Sequence, residues 1–70
     1  MTDVSRVLRA ARERAGASLE EVSASTKIKL TFLQAIERGE FERLPGEFFT
    51  RAFLRTYARE LQLSPDAIVQ

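Results

Sequence analysis

Seventy residues with eleven basic and ten acidic side chains carry a formal net charge of +1, which suits one small domain with a modest core and lacks the basic excess of a typical nucleic-acid binder. There is no cysteine and no histidine, so disulfides, the usual zinc constellations and histidine- or cysteine-based catalysis are excluded. No apolar run approaches the roughly 18 residues of a membrane span, and the charged, periodic start does not have the pattern of a signal peptide.

The spacing predicts a first helix from about Asp3 to Ala15. Val4, Val7, Leu8, Ala11 and Ala15 recur on one face, which should be buried. Arg6, Arg9, Arg12, Glu13 and Arg14 fall elsewhere, mostly toward solvent. Gly16 suits the residue that closes the helix. Ser18 and Glu21 then form a capping box. They open a short second helix, from about Leu19 to Ala24, which Val22 and the small Ala24 and Ser25 fit. Thr26, Lys27 and Ile28 fit a tight turn. A third helix, from about Leu30 to Arg38, buries Leu33 and Ile36 and stops at Gly39.

After Gly39 comes a loop, GEFERLPGE, punctuated by Pro45, with Phe41 and Leu44 expected in the core. The fourth helix, from about Glu47 to Leu61, reads EFFTRAFLRTYAREL. A fifth is expected to start at Ser64, an N-cap followed by Pro65 and Asp66. It would carry Ala67, Ile68 and Val69. The chain, residues 1–70, therefore reads as one all-α, five-helix domain, expected to be a fragment of a longer protein.

The stretch from Ala17 to Gly39 has the arrangement of a lambda-repressor-like helix-turn-helix. It resembles the Xre-like pattern at Ser18, Glu20, Glu21, Val22, Ile28, Leu33, Ile36, Glu37 and Gly39. In such a unit the second helix enters the DNA major groove. Here Lys29 would reach a phosphate, while Thr31 and Gln34 would touch bases. Arg9, Arg12 and Arg14 are further phosphate candidates. Leu30 and Phe32 make no polar base contact, and Lys29 stands where a capping serine usually opens the helix. A compact packing unit without DNA contact explains these residues better.

The fourth helix holds more aromatic residues than one buried face needs. At about 100° per residue, Leu54, Ala58 and Leu61 line a narrow stripe, with Tyr57 and Thr50 at its edge. Phe49 and Phe53 project to one side, with Thr56 and Glu60 beyond them. Phe48 projects to the other side, near Arg55. Arg51, Arg55 and Arg59 form a basic row. Two readings stay open here: the aromatic pair packs against the Phe41 loop or a fifth helix, or it forms a partner-binding hot spot flanked by arginines.

The motifs LRAARERAGASLEEVSASTKI, FLQAIERGEFERLPGEFF and RAFLRTYARELQLSPDAI resemble the RodZ/YmfM-like family of N-terminal cytoplasmic domains. The resemblance runs from about Val7 to Ile68. It implies a five-helix domain on the cytoplasmic face of the inner membrane, in a longer protein whose membrane span lies outside this chain. It also implies binding to the actin-like cytoskeletal protein MreB through the fourth helix, in control of bacterial cell shape. Phe49 and Phe53 match the family's aromatic contact positions, with Arg51, Arg55, Arg59 and Thr56 beside them. Phe49 stands where the family often has tyrosine, and Ala52 where it often has glycine.

Two functions of different class follow. The favoured one is a non-enzymatic interaction module that binds MreB-type actin. The alternative is a regulator that binds double-stranded DNA through Lys29, Thr31 and Gln34. Nothing pairs the acidic residues with a nucleophile, a phosphate-cradling loop or a metal, so no catalytic residue, cofactor or metal is expected.

Overall fold

The computed structural model describes residues 3–64. Among them are four α-helices: α1 Val4–Ala15, α2 Leu19–Thr26, α3 Leu30–Arg38 and α4 Glu47–Glu60, with a 3-10 turn at Phe41–Arg43. No strand occurs among the described residues. The domain is all-α, as expected. The fifth helix expected from Ser64 lies outside the described residues.

Local chemistry sets each boundary. Asp3 caps α1 by accepting from the Arg6 amide, and Gly16 closes it in the left-handed region. At α2 the capping box forms in both directions: Ser18 Oγ accepts from the Glu21 amide at 3.0 Å, and Glu21 accepts from the Ser18 amide at 2.8 Å. The helix runs two residues past Ala24, because the Thr26 hydroxyl donates to the Val22 carbonyl and accepts from the Ile28 amide. That clasp holds Lys27 at φ 65°, a conformation uncommon for a lysine. Lys29 opens α3 with no side-chain cap, as its residue type implies. Gly39 ends α3 at φ 73°, and a Cβ there would meet Ser5 Oγ at 3.4 Å. Glycine thus permits the turn.

α3 lies between α1 and α2, and α4 packs on α2. The core joins Leu8, Val22, Ile28, Leu33, Ala35, Ile36, Leu44, Leu54, Tyr57 and Ala58. Several expectations need correction. Ala15 is exposed at the end of α1, while Ser5 is buried near Gly39. On α2, Val22 is buried and Leu19 packs against the core beside it. Leu44 is buried, but Phe41 is 36% exposed because the 3-10 turn carries it outward. Tyr57 is at the centre of the α4 stripe, not its edge, with no exposed surface.

Candidate functional site

Tyr57 is held by a polar network that spans three helices. Arg12 of α1 donates to both carboxylate oxygens of Glu37 on α3, at 2.7 and 3.0 Å, and to the Ala17 carbonyl at 2.9 Å. The Tyr57 hydroxyl of α4 donates to Glu37 Oε2. The sequence places Arg12 mostly toward solvent, as a candidate for phosphate contact. Instead its side chain is 16% exposed and that of Glu37 is 8% exposed. Arg12 is therefore a structural residue that ties α1 to α3, and its charge is already neutralised.

Burial, and then the hydrogen bond to Glu37, push the Tyr57 phenol well above its ordinary value. A raised folded-state value contributes stability that is complete below the unfolded value, about 10, and is lost as pH rises through the folded one. This contribution should thus be constant around neutral pH and be lost in strongly alkaline solution. Tyr57 is the chain's one tyrosine, so phenolate absorbance reports it alone. Alkaline titration followed by absorbance and denaturant melts should show phenolate appearing together with unfolding. Tyr57→Phe should remove that step. Phenolate formation at the ordinary tyrosine value in a folded chain would contradict this account.

With Leu54, Tyr57 and Ala58 buried, the opposite face of α4 is left to solvent. Phe48 is 78% exposed and Phe49 48%. Arg51, Arg55 and Arg59 are exposed, while Ala52, Phe53 and Thr56 are half-buried. Phe49 meets Phe48 edge-on at 5.5 Å and lies 6.1 Å from Phe53. Phe53 in turn stacks on Phe32 of α3 at 5.5 Å. Lys29 Nζ sits 5.9 Å from the Phe32 ring centre. Four rings therefore run from the open end of α4 to the start of α3.

Phe53 thus packs on Phe32 of α3, and a contact of the pair with a fifth helix lies outside the described residues. Helical spacing alone does not reveal such a contact between helices. The Phe32 ring is turned onto Phe53 of α4. Thr31, Lys29 and Arg38 are exposed and Gln34 is half-buried. Gln34 lines a shallow groove with Arg9, Leu19 and Arg38. Arg38 was not singled out from the sequence, although it lies one turn beyond Gln34. Thus the partner-binding candidates cluster on α4, Thr31 and Gln34 lie on α3, and Lys29 sits at the α3 end of the aromatic ladder.

The comparisons place this geometry among known proteins. The profile of a family described as a helix-turn-helix domain matches residues 7–68. A YmfM from Staphylococcus aureus, solved as a candidate DNA-binding membrane protein, superposes with a TM-score of 0.90 at 36% identity, over 96% of this chain and 82% of that one. The chain belongs to the RodZ/YmfM-like helix-turn-helix family.

Other members of the family extend well beyond this domain. The cytoskeleton protein RodZ of Streptococcus pneumoniae is 39% identical over 66 residues, which are 94% of this chain and 24% of that protein. An uncharacterised membrane protein of Bacillus subtilis, YmfM, is 38% identical over 53 residues, or 76% of this chain and 18% of its own length. This chain thus spans about a quarter or less of those two relatives. Among its described residues, no helix is long and apolar enough to cross a membrane.

Proposed function

We propose that this domain is a cytoskeletal adaptor that binds an MreB-type bacterial actin through the outer face of α4. The carrying observation is that Phe48 and Phe49 are exposed on a helix whose opposite face already fills the core. Exposed aromatic side chains beside arginines are the composition of an interface hot spot. Phe49 would insert into an apolar site on the filament subunit, with Phe53 behind it. Arg51, Arg55 and Arg59 would face an acidic rim and set orientation more than affinity. Thr56 lies beside the aromatic pair. The similarity to a protein named for the cytoskeleton supports this reading. The domain would work at the cytoplasmic face of the inner membrane, held there by a span outside this chain.

The second reading is DNA binding. It is favoured by one observation: with Phe32 turned onto α4, the open side of α3 is polar, with Lys29, Thr31, Gln34 and Arg38 in reach of a groove. The near-neutral charge weakens it. An equilibrium titration of the domain against a purified MreB-type actin, beside one against duplex DNA, separates the two. Saturable binding to the actin supports the adaptor. Binding to duplex alone, falling steeply with salt, would replace it with the regulator.

A further inference from the structure

Phe49 and Phe53 occupy one flank of α4, and the other flank has a recess of its own. It is an open groove of about 430 Å³ lined by Glu47, Phe48, Arg51, Ala52 and Arg55. At about 100° per residue, Phe48, Ala52, Arg55 and Arg59 share a single stripe, and the small Ala52 leaves the gap between the first and the third. The floor is apolar and the walls are basic. Glu47 already takes one wall, pairing with Arg51 at 2.9 Å. Among the described residues, Arg55 and Arg59 have no such carboxylate. The groove thus has more cationic than anionic groups to satisfy.

We propose that this groove is a second contact site, which takes an acidic, amphipathic segment of a protein partner. An apolar side chain of that segment seats on Phe48 and Ala52, and its carboxylates pair with Arg55 and Arg59. A second copy of α4 is a poor occupant, because antiparallel pairing would set Arg51 against Arg55 of the other copy. Phe48 is then an anchor in its own right, and Glu47 is an internal competitor that holds Arg51 away from the partner. The inference rests on the reading of α4 as the partner-binding helix and adds the chemistry of what that helix meets.

The test uses a fluorophore-labelled peptide built from glutamate and leucine, with a lysine-and-leucine counterpart as control. Binding is followed by anisotropy. The acidic peptide should bind the domain and the basic one should not. Phe48→Ala and Arg55→Glu should each weaken binding about tenfold or more. Glu47→Gln, which frees Arg51, should strengthen it about twofold. All three positions are exposed, and circular dichroism verifies that each variant is folded. Equal binding of both peptides, parent-like binding by Phe48→Ala, or weaker binding by Glu47→Gln overturns the groove.

The same variants and Phe49→Ala, titrated with an MreB-type actin, separate the two claims. An actin that binds the parent and Phe48→Ala alike but Phe49→Ala weakly removes the groove and leaves the adaptor. Acidic-peptide binding with the expected variant pattern, beside no actin binding, keeps the groove and removes the adaptor.

Discussion

Glu37→Ala should destabilise the domain by about 3 kcal/mol, the low end for breaking a buried ion pair. The carboxylate accepts two hydrogen bonds from Arg12 and one from Tyr57, so its loss leaves a guanidinium and a hydroxyl without their partner. Arg12 keeps the Ala17 carbonyl at 2.9 Å and a little solvent access, which holds the cost below the upper limit. A chain of this length has roughly 4–10 kcal/mol in total, so the loss is a large share. The melting temperature should fall by about 12–24 °C, measured by circular dichroism. Replacing both charges, as Arg12→Met with Glu37→Leu, should recover part of it, because no charge is then left stranded while the Tyr57 hydroxyl still lacks its acceptor. A Glu37→Ala melt close to the parent's would show that the three-helix network contributes nothing to the fold.

Phe49→Ala should separate binding from stability. Its ring is half exposed and touches other rings rather than the core cluster. Truncation should therefore change stability by less than about 1 kcal/mol. As a hot-spot residue it should weaken binding to the actin by about 2 kcal/mol or more, roughly thirtyfold in Kd. Phe53→Ala behaves differently. Phe53 stacks on Phe32 and packs against the core, so its loss should cost about 1–2 kcal/mol of stability, less than a fully buried phenylalanine. Reduced binding by that variant alone would confound folding with contact. Phe49 carries the cleaner test, read from paired titration and denaturant curves. Parent-like binding by a folded Phe49→Ala would remove this ring from the interface.

The parts of this fold legible in the sequence are those that depend on near neighbours. The Ser18–Glu21 box, the stop at Gly39 and the Leu33–Ile36 stripe each rest on residues within one turn. The capped ends and periodic faces were therefore readable without coordinates. The Arg12–Glu37–Tyr57 network was not, because its members lie 25 and 20 positions apart. A charged residue on an amphipathic helix reads as solvated until the opposing helix is known. The same holds for Phe53 and Phe32, which meet only because α4 crosses near the start of α3. The left-handed Lys27 was hidden for a different reason: the Thr26 hydroxyl, not a glycine, makes that turn. At the candidate site, periodicity sets Phe49 and Phe48 on different flanks of α4, but it does not reveal that their rings meet edge-on. It did not show how far each ring stands out of the surface.

The adaptor account makes its central claim about one surface, so the most direct measurement is a residue-resolved NMR titration of the domain with unlabelled MreB-type actin. The account expects the amide signals of Phe48, Phe49, Ala52 and Arg55 to shift or broaden first, while those of Thr31, Gln34 and Arg38 stay in place. Changes confined to α3, or none on α4 at saturating actin, would contradict it.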